Sequence, residues 1–321
     1  MKNMKVFVAG PGRWGSFIAY YLNSIGHSVT LYGRETSAKM QELIDTRSNG
    51  IITLPSEINL TTELSHVSEF DIIVISIASQ GLSRFMQTLV DFELKNKIFV
   101  LCMKGIEIES GRRLSEIAES YIDESSRVAV WLGPGHVQEF CAGRPNCMVI
   151  DSNDDETKRE LVELFSSSLI RFYYGTDLLG NEIGAAAKNV IGIAAGILDG
   201  LKLSSLKGAL MARGTREISR LVQKLGGDAL SVYGLCHLGD YEATVFSPHS
   251  HNRRYGETLI TGEGFDGLAE GYYTVCALLN LGKLHDVDLP ICRAVYNIAY
   301  NHTDPKSEMD MLFSRSIKYE F

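Results

Sequence analysis

Lys188 sits in a stretch, Ile183 to Leu201, made mostly of Ala, Gly, Ile and Val. Desolvation penalises the ammonium form, so a lysine placed this way has a depressed pKa and can exchange a proton near neutrality. Acid–base work at a substrate oxygen is one reading. The other is a buried structural lysine paired with a carboxylate such as Asp240, because ion pairs also perturb lysines. A second group with chemical meaning is Gly10-Pro11-Gly12-Arg13-Trp14-Gly15, which fits G-x-G-x-x-G. Between a strand and a helix, its first glycine permits a tight turn, its second lets backbone approach a pyrophosphate, and its third lets helix and strand pack closely. The helix N-terminus then faces the phosphates. Without that strand-turn-helix setting the same residues would be an ordinary glycine-rich turn. At the end of the second strand an acidic residue would hold the ribose 2′-hydroxyl of NAD, but the chain has Tyr32-Gly33-Arg34. Arg34 either pairs with the 2′-phosphate of NADP or stacks on adenine, or is a solvated surface arginine.

Elements that could position these groups alternate along the first half. Lys5 to Ala9, Ser28 to Tyr32, Asp71 to Ser76, Lys97 to Cys102, Val128 to Leu132, Cys147 to Ile150 and Ile170 to Tyr174 read as strands. Between them Trp14 to Ile25, Thr36 to Arg47, Gly81 to Val90 and Gly111 to Ile122 have helical spacing. The alternation predicts an α/β domain of Rossmann type, a mainly parallel sheet with helices on both faces. After Tyr174 the β-branched runs stop, and Asn181 to Leu201, Leu206 to Leu225 and Gly267 to Leu284 read as long helices. The predicted division is residues 1–180 for the dinucleotide-binding domain and 181–321 for an all-α domain carrying substrate and catalytic groups. The polar stretch His249 to Tyr255 reads as a functional loop between helices.

Composition sets the bounds. At 321 residues the chain exceeds the usual single core, and 45% hydrophobic with 22% charged residues is ordinary for a globular protein. A formal net charge of −8 argues against a nucleic-acid partner, although one basic pocket is enough for a small anion. Six scattered cysteines, with no Cys-x-x-Cys pair and no His at ligand spacing, predict reduced thiols and no metal site. The run Met1-Lys2-Asn3-Met4-Lys5 leads straight into a strand and leaves no room for a signal-peptide core. Ile183 to Leu201 is long enough to mimic a membrane span, yet Lys188, Asn189 and Asp199 favour a buried helix over membrane insertion.

Several blocks, in order, resemble the NAD(P)-dependent glycerol-3-phosphate dehydrogenases of the bacterial type over essentially the whole chain. They are Gly10 to Gly15, Lys104-Gly105-Ile106-Glu107, Gly133-Pro134 with Glu139, Ala187-Lys188-Asn189-Val190 with Ala194-Ala195-Gly196, Gly239-Asp240, Asn252-Arg253-Arg254 with Gly256, Glu270-Gly271, and Pro290-Ile291 with Ala294-Val295-Tyr296. The resemblance implies a helical second domain like that of 6-phosphogluconate dehydrogenase. It implies reduction of dihydroxyacetone phosphate to sn-glycerol 3-phosphate for glycerophospholipid synthesis, with NAD or NADP as cofactor. Lys188 becomes the proton donor and acceptor, Asp240 its orienting partner, and Lys104 a positive charge near cofactor and substrate; the plainer reading of Lys104 is a surface lysine at a strand end. Substrate contacts fall to Gly133, Gly135, Ser250, His251, Asn252 and Arg253 as well. Cofactor contacts fall to Gly10, Gly12, Arg13, Trp14, Gly15, Arg34, Lys104, Val137, His251 and Glu270. A cytoplasmic location is expected from the reduced thiols and the missing signal-peptide core, and a homodimer from family habit.

Two departures bear on the substrate. Ser250-His251-Asn252 stands where the family usually has Ser-Arg-Asn, replacing a phosphate fork with an imidazole, which Arg253 or Arg254 could offset. Gly133-Pro134-Gly135-His136-Val137 replaces Gly-Pro-Ser/Thr-Phe-Ala and removes a hydroxyl. Action on another small phosphorylated ketone or polyol, a related hydroxy-acid dehydrogenase, and a non-catalytic dinucleotide sensor are the competing readings.

Overall fold

The β-branched runs become the parallel core of one sheet. The computed structural model describes residues 3–317 together with Tyr319 and Glu320; Met1 and Lys2, which open the N-terminal run read above, lie outside them. Among the described residues eight strands, β1 (Lys5–Ala9), β2 (Ser28–Tyr32), β3 (Asn59–Thr61), β4 (Ile72–Ile75), β5 (Ile98–Leu101), β6 (Arg127–Leu132), β7 (Asn146–Asp151) and β8 (Ile170–Tyr174), lie in the order β3-β2-β1-β4-β5-β6-β7-β8. Every pairing is parallel except β6 with β7. All four residues of β4 are buried, as a strand covered on both faces requires, and each such side chain contributes on the order of 2 kcal/mol.

Six helices accompany the sheet: α1 (Arg13–Ser24), α2 (Ala38–Thr46), α3 (Leu82–Val90), α4 (Leu114–Glu119), α5 (Val137–Cys141) and α6 (Asp155–Phe165). The helix expected over Gly111 to Ile122 is shorter, because Gly111 has a positive φ of 69° and α4 begins only after Arg113. The remaining helices are α7 (Leu178–Gly200), α8 (Lys207–Lys224), α9 (His251–Thr261), α10 (Glu270–Leu284), α11 (Pro290–Tyr300) and α12 (Pro305–Phe313). Contacts divide the chain into one unit of Met1–Lys104 with Arg112–Glu182 and another of Gly105–Gly111 with Ile183–Phe321. The return of Gly105–Gly111 to the helical unit is a detour that a single boundary near residue 180 does not describe.

In the helical unit, α7 is long and apolar enough to cross a membrane, and 78% of its most apolar window is buried by the protein. Its glycines explain how a neighbour gets so close. A Cβ on Gly196 would stand 1.8 Å from the carbonyl oxygen of Arg253, and one on Gly256 would stand 2.0 Å from that of Ile193. Helices α7 and α9 therefore touch backbone to backbone. The stretch expected as a loop is largely the start of α9: the Ser250 hydroxyl caps the helix by accepting from the Arg253 N–H, 3.3 Å away, and His251 is the first helical residue.

Candidate functional site

In the sheet unit, the turn after β1 carries the glycine motif. Gly10 has φ +119°, donates its N–H to the Tyr32 carbonyl at 2.9 Å, and would put a Cβ 2.2 Å from the Ser76 carbonyl oxygen. That presses the turn against the ends of β2 and β4. Gly12, by contrast, faces open space: a Cβ there would meet nothing within 4 Å. Gly12 is also the N-cap of α1 and provides no side-chain cap, and the first turn of the helix holds no acidic residue. Backbone donors at the positive end of a helix dipole thus face a space that can take an anion, so the residues suit a pyrophosphate. Arg13 and Trp14 open α1; the Trp14 ring lies 5.3 Å from Phe17 and 6.1 Å from Phe140, centroid to centroid. Arg34 is exposed just beyond β2.

At the ends of β5 and β6, the Lys104 ammonium donates to the Gly133 carbonyl at 2.7 Å. This fixes the direction of the cation and ties the Lys104 block to the Gly133-Pro134 block. Gly135 has φ +152°, and a Cβ there would fall 2.3 Å from Cε2 of Phe140, whose ring stacks on Phe17 at 5.0 Å. The missing hydroxyl at position 135 therefore has a packing counterpart, because an aromatic ring occupies the place of a side chain. Val137 is buried at the start of α5.

In the helical unit, Lys188 and Asp240 meet. The Lys188 Nζ lies 3.1 Å from Oδ2 of Asp240, with side chains only 12% and 1% exposed, and donates to the Thr244 hydroxyl at 2.7 Å. Both partners come from one irregular segment, a 3-10 turn at Leu238–Asp240 followed by a π-helical turn at Glu242–Phe246. One residue on from Lys188, the Asn189 side-chain oxygen accepts from the Asn252 amide at 3.0 Å, while the Asn252 oxygen accepts from the Gly271 N–H at 2.9 Å. Asn252 thereby joins α7, α9 and the first turn of α10, where Glu270 is the first residue. The His251 ring lies edge-on to Phe265, with centroids 6.2 Å apart.

Arg253 turns to Asp199, 2.5 Å from its carboxylate, and its Nε donates to the Ser247 carbonyl at 3.2 Å. Lys207 shares the same Asp199 oxygen at 2.7 Å. The guanidinium is thus engaged in a structural ion-pair group, whereas Arg254 is exposed. Of the residues singled out from sequence, Gly10, Gly12, Arg13, Trp14, Gly15, Arg34, Lys104, Gly133, Gly135 and Val137 belong to the sheet unit, and Lys188, Asp240, Ser250, His251, Asn252, Arg253 and Glu270 to the helical one. Thr244 and the side chain of Asn189 were not assigned roles from sequence. Thr244 stands four residues after Asp240, a spacing that would have pointed to one helical face had the segment read as helix.

Residues 5–158 match the model of the NAD-dependent glycerol-3-phosphate dehydrogenase N-terminus, and residues 177–310 that of the C-terminus. A glycerol-3-phosphate dehydrogenase [NAD(P)+] of Prosthecochloris aestuarii is 34% identical, with 99% of this chain and 100% of that protein covered. One from Pelodictyon phaeoclathratiforme is 35% identical over 99% of each. Among solved structures, glycerol-3-phosphate dehydrogenase from Coxiella burnetii superposes with a TM-score of 0.91 at 26% identity, covering 98% of this chain and 99% of that one.

Proposed function

The chain belongs to the NAD-dependent glycerol-3-phosphate dehydrogenase family, and we propose that Lys188 is the group that moves the proton in its reaction. It is an oxidoreductase that uses NAD or NADP to interconvert dihydroxyacetone phosphate and sn-glycerol 3-phosphate. The observation that carries the role of Lys188 is its ammonium, nearly buried and held between the Asp240 carboxylate and the Thr244 hydroxyl. Asp240 favours the protonated amine and aims it. Lys188 then hydrogen-bonds the C2 carbonyl oxygen, favours charge building there, and delivers its proton; in the reverse direction it takes the proton back. When bound, the reduced nicotinamide supplies the hydride. The turn through Gly10, Gly12 and Gly15, open at Gly12, would with Arg13 and Trp14 hold the pyrophosphate, and Arg34 the 2′-phosphate when the cofactor is NADP. Lys104, Val137, His251 and Glu270 complete the cofactor contacts in this reading.

The substrate phosphate falls to Ser250, His251 and Asn252 at the N-terminal end of α9, with Gly133 and Gly135 contributing backbone. Arg253 is committed to Asp199, which leaves the exposed Arg254 as the better of the two neighbouring cations. The product would feed glycerophospholipid synthesis in the cytoplasm, and the enzyme would act as a homodimer without a nucleic-acid or membrane partner. The test is oxidation of NADH and of NADPH with dihydroxyacetone phosphate, run beside Lys188→Ala. The variant should lose about three orders of magnitude in kcat, the middle of the range for a positioned acid, while cofactor still quenches tryptophan fluorescence as in the wild type. Turnover at the wild-type rate would remove Lys188 from the mechanism.

A further inference from the structure

His237 is fully buried three residues before the Asp240 that meets the reacting amine, and both of its ring nitrogens are engaged. Nδ1 lies 2.7 Å from the Gly184 carbonyl oxygen, and Nε2 lies 2.6 Å from the Tyr241 hydroxyl. A carbonyl only accepts, so Nδ1 carries the hydrogen; the neutral ring then offers a lone pair at Nε2, and the Tyr241 O–H donates to it. Gly184 is the residue one helical turn before Lys188 on α7. The segment 237–241 is therefore fastened to one stretch of α7 twice: by His237 at Gly184, and by Asp240 at Lys188. Tyr241, completely buried, adds a third anchor, with its hydroxyl 3.4 Å from that of Thr215 on α8.

Charge favours the same arrangement. Burial pushes the His237 imidazole down to about 4, and the positive charge of Lys188 pushes the same way against the Gly184 hydrogen bond and Asp240. The ring thus stays neutral beside the ammonium and does not compete for the Asp240 carboxylate. Burial likewise raises the Tyr241 phenol, with the nearby Cys292 and Glu217 adding to the rise, so it keeps the proton that it donates. Asp240 and Thr244 face the lysine, and Gly184, Tyr241, Asp240 and Lys188 act on the ring, while Thr215, Glu217 and Cys292 act on the Tyr241 hydroxyl.

We propose that His237 and Tyr241 are positioning residues for the reaction, forming an uncharged clamp that holds the Asp240 carboxylate against Lys188. The clamp rests on the reading of Lys188 as proton donor. A loosened clamp lets Asp240 withdraw, the cationic lysine loses its stabilising partner, and its pKa falls. Ketone reduction needs the protonated amine, so the alkaline limb of the kcat profile moves to lower pH.

The experiment measures kcat and KM for dihydroxyacetone phosphate against pH in four full-length variants: Tyr241→Phe, His237→Asn, His237→Ala and Lys188→Ala. Tyr241→Phe removes only a hydroxyl and keeps the packing. It should lower kcat about five- to tenfold, leave KM within about twofold, and move the alkaline limb down by about half a pH unit or more. His237→Asn keeps a donor for Gly184 and should lie between the wild type and His237→Ala. A purely structural pair would lower the melting temperature and leave the limb where it is. If Tyr241→Phe and His237→Asn show the wild-type limb and kcat while Lys188→Ala is inert, the clamp is wrong and the lysine's role stands. If Lys188→Ala turns over normally, both fail together.

Discussion

Two of the oxygens beside Lys188 are of different kinds, and in the proposed mechanism they divide its work. The Asp240 carboxylate supplies charge at 3.1 Å; the Thr244 hydroxyl, at 2.7 Å, accepts without adding charge and so fixes direction. Thr244→Val keeps the side-chain shape and removes the acceptor. We expect kcat about tenfold lower, equivalent to about 1.4 kcal/mol, with KM for dihydroxyacetone phosphate little changed. Steady-state kinetics at saturating cofactor measure it; equal kcat in both proteins would show that Asp240 alone aims the amine. At this scale the sequence was legible where a residue type was out of place. A lysine among small aliphatic residues identified Lys188, and the carboxylate offered as its structural partner, Asp240, is the one it meets. Thr244 gave no such signal, because threonine is unremarkable in an irregular segment. Arg253 illustrates the opposite difficulty: a cation in a basic stretch looks available until Asp199 is seen beside it.

Elements decide whether those residues arrive together. The strands could be read because a run covered on both faces, such as Ile72–Ile75, has to be continuously apolar. β3 could not, since Asn59–Thr61 is three residues long, polar at both ends and at the sheet edge. The start of α9 was read as a loop because His251-Asn252-Arg253-Arg254 has no apolar periodicity; its helix is held by the Ser250 cap and by glycines on the opposing helix. That close contact makes a direct prediction. Gly196→Ala would drive a Cβ into the Arg253 carbonyl, so α9 must move and take Ser250, His251 and Asn252 with it. The cost should be about 3 kcal/mol, the upper range for overpacking, together with a raised KM for dihydroxyacetone phosphate. Gly208→Ala in α8, whose Cβ would meet nothing within 4 Å, is the matched control and should leave stability equal or slightly higher. Thermal melting and KM of the two variants decide the matter; a Gly196→Ala protein that behaves like the control would mean the helices are free to part.

For the molecule as a whole, two buried groups pull its stability in opposite directions with pH. Burial raises the Glu217 carboxyl from 4.5 to about 7, against the N–H groups of Ile291 and Cys292 that donate to it. Its contribution is full below about pH 4.5 and is lost as pH rises through 7, because only the folded state keeps the proton across that window. His237, depressed from 6.5 to about 4, contributes above 6.5 and loses its contribution as pH falls through 4. Each displacement is worth about 3 kcal/mol, so between about pH 4.5 and 6.5 the two nearly cancel. Glu217→Gln should therefore gain stability relative to wild type as pH rises across that interval, and His237→Asn should lose it. Urea-unfolding midpoints at pH 5 and 6.5 read the difference; variants that both parallel the wild type would show that neither group is titrating as described. The central claim concerns the amine itself, and the most direct measurement is chemical rescue of Lys188→Ala with a small primary amine added to the assay. The inert variant should recover dihydroxyacetone phosphate reduction in proportion to the amine's protonated fraction, since a free ammonium can enter the space the side chain has left. A variant that turns over at the wild-type rate with no amine present would contradict the account.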